Sequence, residues 1–161
     1  MEVFVVVDAK NLDWEQIDLS VNQKAVLNYW QSKKKGTLLP SRENLDILDI
    51  YKEMPNVVIF DILSDPLDFK YRLVGTVVTE NSFNDFTGKT LLQMEGKGPG
   101  SKIWNMLDAV RVEKKEIYKE VPYVGPKEYM LRSTLIFLPL VDEVNEVNMI
   151  LLVAEFHSLR S

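Results

Sequence analysis

The feature that most constrains the fold is an apolar run near the end of the chain. Residues 149–156 read MILLVAEF, so apolar side chains fill both alternating sets of positions for most of the run. Successive side chains of a strand point to opposite faces of a sheet. A run that is apolar on both faces is typical of a central strand. We therefore predict that this segment lies in the interior of a sheet.

Four more β-rich runs precede it. Ser64-Asp65-Pro66 is a turn cluster between the first two runs and predicts a hairpin. Pro122 lies in the third run and favours an edge position, because proline cannot donate to the ladder. The four predicted strands cover residues 57–62, 69–75, 116–124 and 129–141.

Helical segments come before and between these strands. Ser20 and Gln23 have the spacing of a capping box at the start of a helix, and Gly36 is suited to a left-handed stop after it. Residues 46–53 resemble a short helix, which Pro55 would end. Apolar residues recur at helical spacing once more downstream, at Ile103, Met106, Leu107 and Val110.

The order of elements predicts an α+β fold with a five-stranded antiparallel sheet. The length of 161 residues fits a single domain. We assign residues 20–161 to that domain and residues 1–19 to an N-terminal segment for docking or dimerisation. The segment reads either as an edge strand around Val5 or as an amphipathic docking element around Trp14 and Ile17.

Composition excludes several classes of function. The chain has no cysteine, which removes disulfides, thiolate metal sites and cysteine nucleophiles. Its net charge of −5 argues against a nucleic-acid partner. It has neither a signal-peptide pattern nor an apolar run near 20 residues, so we expect a cytoplasmic protein without a membrane partner.

No pattern of catalytic residues emerges. Gly96-Lys97 lacks the earlier glycine and the following Ser or Thr of a phosphate-binding loop. His157 is the only histidine, and no G-x-S-x-G elbow accompanies it. Asp61, Asp65 and Asp68 lack the spacing of a calcium loop and are ordinary turn formers. We therefore predict no metal site and no catalytic residue.

Five short motifs occur in a consistent order. They are YW at 29–30, LPSR at 39–42, DFKYRLVGT at 68–76, DFTGK at 85–89 and LPL at 138–140. In this order they resemble a family of short stand-alone bacterial PAS-domain proteins. The resemblance covers roughly residues 25–155.

The resemblance implies a five-stranded antiparallel sheet, helices over one face, an enclosed small-molecule cavity and an N-terminal helical extension. It also implies a role in signalling, in which the domain senses a ligand or contacts a partner. The absence of cysteine argues against a thiol-linked chromophore and makes a light-sensing flavin unlikely, and the single late His157 disfavours haem. No cofactor is therefore predicted.

A pocket of this kind would take its polar groups from the strands and the covering helix. The candidates for ligand binding are Tyr71, Arg72, Thr76, Trp104 and Ser133. Strand alternation places Tyr71 and Arg72 on opposite faces, so at most one of them can face the cavity. The Arg72 guanidinium suits a carboxylate, and its alternative role is a salt bridge that holds the hairpin or the preceding loop.

Two functional hypotheses remain. The first is a sensory or adaptor domain that binds a small non-covalent ligand, contacts a regulatory protein, or forms a homodimer; with 161 residues, its output would pass through such a partner. The second is a small enzyme, isomerase-like or hydratase-like, with a buried carboxylate base. Asp61, on an otherwise apolar strand, is the candidate for that base.

Overall fold

The computed structural model describes residues 5–7, 13–82, 84–122 and 131–158. Its strands form one antiparallel sheet in the order β1-β4-β5-β6-β2-β3. Strand β6 lies between β5 and β2, as the apolar run predicts. The strands are β1 (Val5–Val7), β2 (Val57–Leu63), β3 (Asp68–Val74), β4 (Ile117–Pro122), β5 (Leu131–Val141) and β6 (Val147–Ser158). The five-stranded α+β prediction is confirmed for β2 to β6, and β1 adds a short sixth strand.

Three α-helices accompany the sheet in the described part of the chain: α1 (Val21–Ser32), α2 (Thr76–Ser82) and α3 (Lys102–Glu113). The capping box at Ser20 is present, with Ser20 Oγ accepting from the Gln23 amide at 3.0 Å. Gly36 has the left-handed conformation but lies in the turn that follows the helix. The short helix that we predicted at residues 46–53 is a 3-10 helix over Ile47–Ile50. Pro55 does not end it and lies instead in a second 3-10 turn, Met54–Asn56.

Both faces of the sheet carry an apolar cluster. Helix α3 packs on one face, where Trp104, Leu107 and Val110 join the strand side chains. Helix α1 packs on the other face, where Val26 and Trp30 are fully buried. The expected single layer of helices is thus supplemented by a second layer, because the central strands are apolar on both sides. We name these two sides the α3 face and the α1 face.

The N-terminal segment lies against the domain. Strand β1 pairs with β4 in antiparallel register, with Val6 opposite Lys119. A 3-10 turn, Trp14–Gln16, follows, and Trp14 and Ile17 pack against the α1-face cluster. We expected a helical extension here. Residues 5–7 form a strand instead, and residues 13–19 contain a single 3-10 turn. Every helix in the described part of the chain is too short or too polar to cross a membrane.

The short motifs of the sequence meet in space. The Trp30 indole donates to the Pro139 carbonyl at 2.9 Å, which joins helix α1 to strand β5. The Gly88 amide donates to the Tyr71 carbonyl at 2.7 Å, and the Tyr71 amide donates to the Lys89 carbonyl at 2.9 Å. The motifs therefore make two connections: one joins helix α1 to strand β5, and the other joins the loop at residues 85–89 to strand β3.

Gly75 ends strand β3 where two chain segments come close together. A Cβ atom at this position would lie 2.3 Å from the carbonyl oxygens of Met54 and Pro55. Its amide also donates to the Val57 carbonyl at 2.8 Å. Only glycine fits without moving the backbone of the 3-10 turn beside it.

Replacing this glycine tests that close approach. We expect Gly75→Ala to lower the free energy of unfolding by at least about 2 kcal/mol, because backbone atoms cannot yield as a flexible side chain can. Urea denaturation measures the change. Gly98→Ala is the matched control, since its nearest neighbour would be a Leu92 methyl at 3.8 Å, and it should change stability by less than about 0.5 kcal/mol. Equal stability of the two variants would contradict this explanation.

Candidate functional site

Among the described residues, large side chains pack together between the sheet and helix α3. Phe60, Phe69 and Leu107 are fully buried there. The Phe69 and Trp104 rings meet edge to face with centroids 4.9 Å apart, and the Phe60 and Tyr71 centroids are 4.6 Å apart. These contacts take up the region where the resemblance leads us to expect an enclosed ligand cavity.

Tyr71 lies deep in this cluster on the α3 face. It is 8% exposed, and burial raises the pKa of its hydroxyl to about 12. Among the described residues, this hydroxyl has no hydrogen-bond partner. Phe86, from the loop before Gly88, also packs against Tyr71, with the two ring centroids 5.4 Å apart. Tyr71 thus contributes mainly apolar contact to the core.

The other candidates on strands and helices do not form one group. Trp104 is buried in the same core as Tyr71. Ser133 is buried in β5 and donates to the Val121 carbonyl at 3.3 Å. Thr76 is exposed at the first residue of α2. The structure therefore brings Tyr71 and Trp104 together and leaves Thr76 outside the core.

Arg72 projects to the α1 face, opposite Tyr71, as alternation predicts. A break in register leaves Arg72 as an extra residue, because Phe60 pairs with Tyr71 and Ile59 pairs with Leu73. Such a bulge places two successive residues on one side of the strand. Arg72 and Leu73 accordingly line the same cleft. The salt bridge that we gave as the alternative role of Arg72 is also present, since its Nη1 lies 3.0 Å from Asp61 Oδ2.

The cleft lies on the α1 face between strand β3, helix α1 and the loop before β2. Its volume is about 560 Å³, within the usual range for small-molecule sites. Its walls combine an apolar floor with a polar rim. The floor residues are Ile50, Ile59, Leu73, Leu140, Met149 and Leu151, and the rim residues are Tyr29, Arg42, Glu43, Asp46 and Arg72.

Hydrogen bonds hold part of the rim in place. The Tyr29 hydroxyl donates to Asp49 Oδ2 at 2.7 Å and accepts from the Asp46 amide at 2.9 Å. Partial burial, together with the Asp49 carboxylate, raises the pKa of Tyr29. Asp46 Oδ1 accepts from the Leu48 amide at 3.0 Å. Helix α1 and the loop are thereby fixed to each other at the mouth of the cleft.

Asp61 does not have the surroundings that a general base requires. Its side chain is 22% exposed, and both of its oxygens accept from Arg72 Nη1. A general base with a raised pKa needs an apolar and unpaired environment instead. In the described part of the chain, no group of three or more His, Asp and Glu residues is placed to hold a metal ion.

The sequence alone identifies only Arg72 among the residues of this cleft as a binding group. Arg42 lies in the LPSR motif and Tyr29 in the YW motif, but neither motif assigns its residue to a site. The signal that could have found them is that each of these two motifs carries one residue with a hydrogen-bonding side chain, Tyr29 or Arg42, that the motif's packing does not explain. Their approach to β3 depends on the loop path, which no periodicity reveals.

The strand order β4-β5-β6-β2-β3, with helices packed beside an aromatic interior, defines a small α+β domain. A family model described as PAS domain matches residues 20–153. The match spans most of the chain, and the chain therefore belongs to the PAS domain family. PAS domains are signalling modules of the sensory or interaction type. No curated protein and no solved structure shows significant similarity to the chain.

The buried hydroxyl of Tyr71 predicts a loss of stability at alkaline pH. Its pKa is raised from an ordinary value of 10 to about 12 in the folded protein. The folded state therefore resists ionisation of this hydroxyl more than the unfolded state does. The free energy of unfolding is not reduced by this ionisation below pH 10, and it falls as the pH rises toward 12. Between pH 10 and pH 12 the free energy of unfolding of the wild type should fall by about 2 kcal/mol more than that of Tyr71→Phe.

Urea denaturation at a series of pH values compares the two proteins. At pH 7 the variant should be within about 1 kcal/mol of the wild type, because the hydroxyl has no partner in the described residues. Tyr51→Phe is the control, since Tyr51 is 63% exposed. Parallel curves for the wild type and Tyr71→Phe would contradict the prediction.

Proposed function

We propose that this PAS domain is a sensory module that binds a small non-covalent ligand in the cleft on the α1 face. The observation that carries the proposal is the contrast between the two faces. Among the described residues, aromatic side chains pack together on the α3 face, whereas the α1 face has an open cleft of about 560 Å³. An apolar floor with a few polar groups at its rim is typical of ligand sites.

The cleft is also placed where a ligand would contact several elements at once. Tyr29 belongs to helix α1, Arg42 to the loop, and Leu73 to strand β3. A ligand that contacts all three elements favours the arrangement in which they lie close together. This supports a sensory role, because ligand binding would then change the stability of one particular arrangement.

Blocking the cleft tests the proposal. A library of small organic acids, amines, alcohols and nucleosides is screened for compounds that raise the melting temperature of the full chain. We expect Leu73→Trp to weaken the binding of every such compound by at least about tenfold, because the larger ring occupies the cleft. Val112→Trp, at a position that is 61% exposed on α3, is the control and should leave binding unchanged.

Two results would overturn this proposal. One is a library in which no compound stabilises the chain. The other is a set of binders whose NMR shifts map to Tyr71 and Trp104 on the α3 face and that Leu73→Trp does not affect.

The N-terminal segment supports a second role, in which the domain forms a homodimer or contacts a regulatory protein. Strand β1 is three residues long and is the outermost strand of the described sheet. Within the described residues, its outer edge pairs with no strand, and such an edge can accept a further strand. Pairing between two copies along β1 would extend the sheet across the dimer.

Removing this strand tests the second role. We expect the full chain to be a dimer in solution and a chain lacking residues 1–12 to be a monomer. Residues 13–19 are kept because Trp14 and Ile17 cover the α1-face cluster. Light scattering coupled to size-exclusion chromatography measures both masses. A monomeric full chain, or a dimer that survives the deletion, would refute self-association through β1.

A further inference from the structure

We infer that the ligand of the α1-face cleft is a small carboxylic acid with an apolar body. This inference rests on the proposed function and adds the chemical class of the ligand. The carboxylate would accept hydrogen bonds from Arg42 and Arg72 at the rim, and the apolar body would lie on the floor formed by strands β2, β3, β5 and β6.

Among the described residues, the two arginines supply the unused side-chain donors at the rim. The Arg42 side chain has no hydrogen bond or ion pair within the described residues. Arg72 uses only Nη1 to hold Asp61, which leaves Nη2 and Nε without acceptors in that part of the chain. A guanidinium presents its donors in a planar fork that matches a carboxylate.

The acidic residues near the rim are mostly engaged. Asp46 caps the Leu48 amide, Asp49 accepts from Tyr29, and Asp61 is held by Arg72. Glu43 is the remaining acid that lines the cleft, and it is exposed. Glu43 and Asp46 Oδ2 keep free acceptors, whereas Arg42 is the cation of the described rim that has no partner. A ligand that accepts hydrogen bonds, such as a carboxylate, would pair with this guanidinium and with the free nitrogens of Arg72.

The floor determines the rest of the ligand. Ile59, Met149 and Leu151 are buried side chains that present only apolar atoms and a thioether to the cleft. A hydrophilic body would lose water there without gaining hydrogen bonds, which is costly. An alkyl or aryl body removes apolar surface from water instead, which is favourable. The volume of about 560 Å³ accommodates a body of several carbon atoms.

Three probes of equal length separate the classes of ligand: octanoate, octanamide and octylamine. Each is titrated into the ¹⁵N-labelled full chain at pH 7, and the amide shifts of residues 59, 73 and 151 report binding in the cleft. We expect octanoate to bind there about tenfold more tightly than octanamide, because charge-assisted hydrogen bonds are the stronger ones. Octylamine should bind more weakly still.

Substitutions assign the carboxylate to the two arginines. Arg42→Gln and Arg72→Gln should each lower the affinity for octanoate about tenfold and change the affinity for octanamide by less than about twofold. Asp61→Asn should strengthen octanoate several-fold, because it frees Arg72 from its partner. If Arg72 only held the hairpin together, Asp61→Asn would not increase the affinity for octanoate. Arg132→Gln is the matched control, since Arg132 is also ion-paired and is 41% exposed against 40% for Arg72, yet lies outside the cleft.

The outcomes distinguish this inference from the proposed function. The carboxylate class would be overturned if octanoate and octanamide bound in the cleft with equal affinity and neither Arg42→Gln nor Arg72→Gln changed octanoate binding. The proposed ligand site in the cleft would still be supported by that result. Octanoate shifts outside the cleft, or none, would also overturn the inference, while the library screen decides the proposed function separately. If Arg72→Gln does not fold, Arg42→Gln alone decides the role of the rim, because its exposed side chain has no partner in the described residues.

Discussion

The burial of strand β6 on both faces is the constraint on which the rest of the structure depends. Ile150 and Leu152 belong to the α3-face cluster, while Leu151 and Val153 belong to the α1-face cluster. A sheet whose central strand is apolar on both sides must be covered twice. Helix α3 provides one cover and helix α1 the other. The α1 cover stops short of strand β3, and the cleft lies in the space that it leaves beside the loop.

The motifs that identify the family serve mainly to hold this arrangement together. The Trp30 indole donates to the Pro139 carbonyl, and the Val141 amide donates to the Pro40 carbonyl at 3.0 Å. The YW, LPSR and LPL motifs therefore hold helix α1 and the loop that contains Pro40 against strand β5. Gly75 allows β3 to pass the carbonyl oxygen of Met54. A motif that specifies a fold in this way says little about a ligand. Family membership and the identity of the ligand are therefore separate questions for this chain.

The sequence was sufficient to predict the five main strands and helices α1 and α3, because their apolar residues recur with a regular period. Alternation was also sufficient to place Tyr71 and Arg72 on opposite faces. The bulge was not predictable, since it depends on how β2 and β3 pair and not on either strand alone. At residues 46–53 the sequence indicates a helix but neither its type nor its length, and the 3-10 turn there covers only Ile47–Ile50. Leu48 and Tyr51 in this segment are both exposed.

Helix α1 contributes to both regions for which a function is proposed. Near its C-terminus, Tyr29 lines the cleft and bonds to Asp49. At its N-terminus, Ser20 and Asn22 donate to Glu155 Oε1 at 2.8 and 3.2 Å, and Leu19 joins the cluster that Trp14 and Ile17 cover. A helix of 12 residues is about 18 Å long and behaves as a stiff element over that distance. A shift of α1 at the cleft would therefore also displace the cluster beneath the N-terminal segment. Helix α1, one of the two covers of β6, thus joins the cleft to the cluster that Trp14 and Ile17 cover.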